Sequence, residues 1–413
     1  TRRALTTRPR VRAHDTDQDD RGAWSVFLVF LRLGLTSFGG PVAHLGYYRD
    51  EFVTRRRWLG ERSYADLVAL CQFLPGPASS QFGMALGLSR AGYLGALAAW
   101  AGFTLPSAIA LILFAIGVAS LGEAIPAGAL SGLKVVAVAV VAQAVWGMAR
   151  NLCRGAAKLA IMAIAAGVVL FLPSAWTQVG VIAAAGLAGM MLVEPATSPV
   201  HEPLPMAVTR RAGMFWLALF SMLLVGLPVA VQLTSSQAVA MIDAFYRAGA
   251  LVFGGGHVVL PLLQAEVVTP GWVGSEAFLA GYGAAQAVPG PLFTFAAFLG
   301  ASMHAAPNGW TGGAIALVAI FLPGFLLVAG ALPFWEDLRR SVRMQAALAG
   351  INAAVVGLLL AALVRPVATS AIHGWGDVLF AAVALAALMV AKLPPWLVVA
   401  LCGVAGGLTA GLR

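Results

Sequence analysis

The sequence predicts an all-α polytopic membrane protein made of two inverted-topology repeats, and three observations lead there. First, 60% of the 413 residues are hydrophobic and 10% charged, with a mean hydropathy of +0.87. A soluble domain carries about 25% charged residues, so this chain cannot clothe a water-facing surface. Second, nine apolar runs approach the ~20 residues that a helix needs to cross the hydrocarbon core. They cover 92–121, 127–148, 156–172, 177–193, 214–233, 311–333, 346–364, 378–390 and 394–412. Third, one set of motifs occurs twice in the same order, with opposite charge bias around it.

The elements follow in chain order. Residues 1–22 are polar and mixed in charge, lack the apolar core of a signal peptide, and are expected to form a disordered cytoplasmic tail. The first repeat occupies 23–193. It opens on "FLRLGLTSFGGPVAHLGYYRDEF" (Phe30–Phe52), an apolar segment with Arg32 inside it and a break at Gly39-Gly40-Pro41. A second break follows at Pro75-Gly76-Pro77 in "FLPGPASSQFGMALGLSR". Residues 194–212 form a Pro-rich cytoplasmic linker, 213–234 an extra span that inverts the topology, and 235–413 the second repeat.

The repeat is visible in the residues themselves. "FLRLGLTSFGG" (Phe30–Gly40) and "FYRAGALVFGG" (Phe245–Gly255) share six of eleven positions. Downstream, "WLGERSYADLVALCQFLPGP" from Trp58 matches "WVGSEAFLAGYGAAQAVPGP" from Trp272 in Trp, Gly, Gln and Pro-Gly-Pro. Pro106 in "FTLP" then parallels Pro323 in "IFLP". Five arginines (Arg49, Arg55, Arg56, Arg57, Arg62) lie between the breaks of the first half, and the same stretch of the second has no Lys or Arg. Basic residues favour the cytoplasmic side, so the halves are expected to face opposite ways. The scheme puts the N-terminus in the cytoplasm and Arg413 in the periplasm. Arg339, Arg340, Arg343 and Lys392 then fall inside, with Arg365 the exception.

The basic tail and the Arg49–Arg62 stretch both favour the cytoplasm, yet the Phe30 segment lies between them. It is therefore read as re-entrant. The arms of the Pro-Gly-Pro break, 63–74 and 78–88, are likewise too short to cross separately. Nine full spans plus four half-membrane arms result. Non-helical backbone at membrane depth is tolerated only inside protein or beside a watery cavity. Broken segments at matching places in inverted halves point to a transporter binding site. Packing is the bland alternative, since Gly and Pro are common in membrane helices.

Helices starting after Pro41, Pro77 and Pro291 would aim free N–H groups and positive dipole ends into such a cavity, a chemistry suited to anions. The candidate site therefore comprises Ser37, Gly39, Gly40, Gly76, Gly254, Gly255 and Gly290 at the breaks. Ser79, Ser80 and Thr294 add hydroxyls, and Gln72 and Gln286 add amides. His44 and His257 add polar lining. Arg32 and Arg247 stand six residues before their Phe-Gly-Gly turns; an intramembrane arginine costs ~2.5 kcal/mol or more and normally faces a cavity or a partner. Cys71, Cys153 and Cys402 suggest neither disulfides nor a metal site. No nucleotide, zincin or nucleophile-elbow motif occurs, so no catalytic residue, metal or cofactor is expected, and nothing points to nucleic acid.

These motifs resemble the chromate ion transporter (CHR) family, in its long two-domain form. The residues that carry the likeness are "FGGPVAHLGYYRDEFV", "RRRWLGERSYADLVALCQFLPGPASSQ" and "LSRAGYLGALAAWAGFTLPSA" in the first half. In the second they are "FGGGHVVLPLLQAEVV", "WVGSEAFLAGYGAAQAVPGPLFTFAAFLGA" and "FLPGFLL". The resemblance implies export of chromate through the bacterial inner membrane, conferring resistance, with isostructural sulfate as competitor. It leaves open the counter-ion or proton and a homodimeric state. Two other functions stand beside it: an anion channel, or a transporter of sulfate or another oxyanion, on the same scaffold; and a membrane chromate reductase, against which the lack of flavin and nicotinamide motifs weighs.

Overall fold

A computed structural model describes residues 22–121, 127–193, 208–253 and 256–410. The tail before Gly22, most of the linker, Gly254, Gly255 and Arg413 lie outside the described residues. Every regular element among the described residues is helical.

The first half runs α1 (Ala23–Thr36), α2 (Gly40–Arg49, prolonged by a π-turn over Asp50–Arg55), α3 (Glu61–Phe73), α4 (Ala78–Leu121), α5 (Ala127–Leu152), α6 (Ala156–Phe171) and α7 (Ala175–Leu192). After α8 (Arg210–Leu233) the order recurs: α9 (Gln237–Ala250), α10 (Val259–Val267), α11 (Ser275–Ala287), α12 (Phe295–Ala301) and α13 (Gly309–Ala331). A short α14 (Trp335–Arg340) leads into α15 (Val342–Ala362), the turn α16 (Thr369–Ala371), α17 (Trp375–Met389) and α18 (Pro395–Ala410).

The chain is a multi-pass helical membrane protein. Five segments are long and apolar enough to cross a bilayer: Ala78–Ser120, Ser131–Leu152, Arg210–Leu233, Gly309–Phe334 and Val342–Ala371. Four further expected spans are shorter helices, α6 with 16 residues, α7 with 18, α17 with 15 and α18 with 16. Gly155, Pro173, Gly374 and Pro394 border them and set these lengths.

The chain doubles back at both breaks of the first half. Phe30 on α1 packs against Tyr48 on α2 and against Phe52, with ring centroids 5.9 and 5.2 Å apart, so the arms around Gly39 lie side by side. Tyr64 on α3 meets Phe82 on α4 at 5.3 Å across the Pro-Gly-Pro break. Helix α4 is itself two helices, because Ala91 and Gly92 leave helical geometry and the chain folds Gly87 against Gly95. The second half makes the matching hairpin from α12 and α13, with Gly300 against Gly312.

The halves then exchange their ends. Helices α6 and α7 pack on α15 of the other half, and α17 and α18 pack on α5. Small residues permit both crossings, as is usual where helix backbones approach closely in membranes. A Cβ added at Gly350 on α15 would stand 2.2 Å from the Ala185 carbonyl oxygen, and one at Gly406 on α18 would stand 2.2 Å from that of Gly128. Helix α8 lies at the periphery against α9 and α13, with Gly213 its buried residue.

Candidate functional site

Two backbone hydrogen bonds cross between the halves beside the breaks. The amide N–H of Gly76 donates to the carbonyl of Val252 at 2.7 Å, and that of Gly290 donates to the carbonyl of Ser37 at 2.9 Å. Gly76 and Gly290 are repeat equivalents, as are Val252 and Ser37. Each Pro-Gly-Pro turn is therefore held by the residue that precedes the Phe-Gly-Gly motif of the opposite half. Glycine is required at both, since φ is +123° at Gly76 and +104° at Gly290, a region that costs other residues ~1–2 kcal/mol. A Cβ would also stand 2.9 Å from Gln81 Nε2 at Gly76, and 2.8 Å from Ser107 Oγ at Gly290.

Beside this crossing lies a cavity of about 450 Å³. Its wall includes Gly39, Gln72 and Gly76 from the first half's breaks, Gly256 and His257 from the second half, Asn151 on α5 and Asn352 on α15. Helix α2 begins here: Gly39 is its left-handed N-cap, with φ +100°, and Pro41 sits in its first turn. Its first N–H groups have no helical partner. Asn352 Oδ1 is buried without a hydrogen-bond partner. His257 Nδ1 lies 2.7 Å from the hydroxyl of Tyr282. Among the described residues that line the cavity there is no Lys or Arg.

A second polar cluster, buried except for the half-buried Gln286, lies against the Gly290 turn. His44 reaches Ser79 Oγ at 3.3 Å through Nδ1 and the Ser37 carbonyl at 3.2 Å through Nε2. Ser107 Oγ donates to the Thr104 carbonyl at 3.0 Å. The side-chain polar atoms Ser37 Oγ, Ser80 Oγ, Thr104 Oγ1 and Gln286 Nε2 are buried and unpartnered. Unsatisfied buried polar atoms are uncommon and expensive.

The sequence-derived residues separate accordingly. Gly39, Gln72, Gly76 and His257 line the cavity. Ser37, His44, Ser79, Ser80, Gln286 and Gly290 belong to the buried crossing, and Gly40 opens α2. Thr294 Oγ1 is engaged by the Pro291 carbonyl at 2.7 Å, so its hydroxyl serves the local turn. The two arginines depart from the expected pairing around one anion. Arg32 is exposed on α1 and makes no ion pair among the described residues. Arg247 Nη2 binds Asp243 at 2.8 Å and Glu266 at 3.0 Å. The cause is local: Asp243 corresponds to Leu28 in the first half, so the matched arginines meet unmatched partners.

Sequence reasoning missed Asn151, Asn352 and the carboxylates of Arg247. A signal was available for Glu266. The match around the breaks extends into "EFVT" (Glu51–Thr54) and "EVVT" (Glu266–Thr269), with both glutamates in register. Lys134, also missed, is a cation inside an apolar run that pairs with Glu276 at 3.2 Å.

The family model described as "Chromate transporter" matches twice, over residues 24–190 and 239–407, the two halves seen in the fold. The chain belongs to the chromate transporter family. It is 29% identical over 356 residues to a chromate transport protein of Pseudomonas aeruginosa, covering 81% of this chain and 78% of that one. A probable chromate transport protein of Synechococcus elongatus is 28% identical over 398 residues, covering 91% and 93%. The chromate transport protein of Cupriavidus metallidurans is 28% identical over 373 residues, covering 82% and 80%. No solved structure matches the chain. In this member of the family, the glycines of both Pro-Gly-Pro motifs hydrogen-bond across the two halves.

Proposed function

We propose that the chain is a secondary transporter that exports chromate from the cytoplasm across the bacterial inner membrane and thereby confers chromate resistance. Its two halves face opposite sides of the bilayer, and the oxyanion binds where their breaks cross. The observation that carries this reading is the reciprocal pair Gly76–Val252 and Gly290–Ser37 beside a 450 Å³ cavity. Chromate is a tetrahedral dianion with acceptor oxygens on every side. Amides of Gln72, Asn151 and Asn352, together with the free N–H groups at the start of α2, are donors of the required kind. The charge is met by dipoles and neutral donors, since no Lys or Arg lines the cavity among the described residues. Membership in the chromate transporter family and the names of its relatives favour transport over reduction. Sulfate, with the same shape and charge, is the expected competitor.

Chromate uptake into inside-out membrane vesicles tests the proposal. Vesicles carrying the protein accumulate chromate, sulfate inhibits, and Asn352→Ala and Gln72→Ala raise KM. Uptake no faster than in vesicles without the protein overturns the reading. Gradient-independent conductance of chromate would identify the channel alternative instead.

A further inference from the structure

Arg247, Asp243 and Glu266 form a group that the chromate site does not use. Both carboxylates share one nitrogen of the guanidinium, at 2.8 and 3.0 Å. All three side chains are close to nine-tenths buried, with exposures of 12%, 9% and 12%. Trp176 on α7 covers the guanidinium at 5.2 Å. Two carboxylates against one cation leave a negative charge uncompensated, and an unpaired buried charge is neutralised by protonation rather than kept.

Among the described residues no other charge supplies the balance. Helix α9, which carries Asp243 and Arg247, packs on α8, α10 and α13; α10, which carries Glu266, packs also on α7 and α15. Within α7 and α13 there is no charged residue, and α8 and α15 carry theirs in the first turn, Arg210 and Arg211 and Arg343. Arg210 is engaged by Asp337 at 3.0 Å. Arg365 lines a pocket of about 220 Å³ with Gln264 and Ala265, beside Glu266, but makes no ion pair with either carboxylate. It is exposed.

The first half shows what the second has changed. Glu51, the equivalent of Glu266, is bound by Arg55 at 2.6 Å and Arg56 at 2.7 Å, two cations for one carboxylate. Leu28 stands where Asp243 does. At this equivalent position the first half sets two cations against one carboxylate and the second sets two carboxylates against one cation. The place of this group matters as well. The ion group fastens α9 to α10, and the residues between them include Val252, which holds Gly76, and Gly256 and His257, which line the cavity.

We propose that the Asp243–Arg247–Glu266 group is the site of a coupling proton, bound by one carboxylate and exchanged for the oxyanion. A proton adds to a carboxylate oxygen and gives a neutral acid, which loosens its bond to Arg247 and frees α10 relative to α9. Val252, and with it the Gly76 contact, shifts in step. The pocket with Gln178, Gln264, Thr269 and Arg365 gives water a polar approach to this end of α10. Protons entering and dianions leaving both carry positive charge inward, so an inside-negative potential drives the exchange.

This inference rests on the chromate transport reading, and the test separates the two. The full-length protein is reconstituted in liposomes with the membrane potential clamped. Chromate–chromate exchange is measured first, then chromate accumulation driven by a pH gradient alone, with a trapped pH dye following proton movement. The wild type is expected to do both. Glu266→Gln and Asp243→Asn are expected to keep exchange while pH-driven accumulation falls to the protein-free level. Glu266→Asp, which preserves the charge, is expected to stay coupled with a displaced pH profile, and it serves if the neutral variants fail to fold. Wild-type exchange without proton movement, neutral variants that stay coupled, or an unchanged pH profile in Glu266→Asp each overturn the proton site. Absence of chromate exchange in the wild type overturns the transport reading itself.

Discussion

The amide of Gly290 donates to the carbonyl of Ser37 at 2.9 Å, joining residues that are 253 positions apart and belong to different repeats. The same bond, drawn from the other half, joins Gly76 to Val252 at 2.7 Å. Neither half can form its break without the other, so the breaks should respond to mutation as matched pairs.

Gly76→Ala and Gly290→Ala should each lower stability by at least ~1–2 kcal/mol, the cost of a side chain in left-handed backbone, and abolish chromate transport. The added Cβ would also displace Gln81 in one case and Ser107 in the other. Gly226→Ala on α8 is the control, since nothing lies within 4 Å of its added Cβ. Thermal unfolding of the purified proteins in detergent checks all three.

The two arginines should behave oppositely. Arg247→Gln strands two buried carboxylates, and breaking such a group costs ~3–5 kcal/mol. Arg32→Gln removes an exposed charge with no ion pair among the described residues and should unfold as the wild type does. Equal losses in Tm would contradict the placement of Arg32.

Some of this was legible in the sequence and some was not, for a physical reason. Breaks are local: a glycine at positive φ followed by proline at a helix start leaves its signature within a few residues, so Gly39-Gly40 and Pro75-Gly76-Pro77 stand out on inspection. The partner of a charged side chain is not local. Arg32 and Arg247 hold the same repeat position, yet their surroundings are decided by Leu28 against Asp243. Glu51 is already claimed by Arg55 and Arg56, which the second half lacks. Asn352 was hidden for another reason. A single amide in an apolar helix says nothing about the cavity that α15 will wall until the opposite half is placed against it.

Opposite membrane orientation of the repeats can be read with cysteine labelling. Cys71, Cys153 and Cys402 are all buried, so background reaction should be low. Arg62 and Glu276 are repeat equivalents. In intact cells a membrane-impermeant maleimide should modify Glu276→Cys, and should reach Arg62→Cys after permeabilisation alone. Labelling of both from the same side would show that the halves are parallel.

The crossings that exchange ends should also fail in step. Gly350→Leu drives a side chain into the Ala185 carbonyl, and Gly406→Leu does the same at Gly128. Overpacking of this kind costs ~1–3 kcal/mol or more, and the two variants should lose comparable thermal stability. A large loss in one and none in the other would mean that the crossings are not equivalent.

That exchange of ends bears on how the protein is born. Helices α6 and α7 leave the ribosome long before α15, the helix on which they pack, and the stretch from 193 to 342 must be synthesised in between. For all that time two short apolar helices wait in the membrane without their docking surface. The first half therefore cannot mature as a finished unit while the second is still being made. Assembly is deferred until the chain is nearly complete, and a truncated product that ends in the linker is expected to be a substrate for membrane proteases rather than half a transporter.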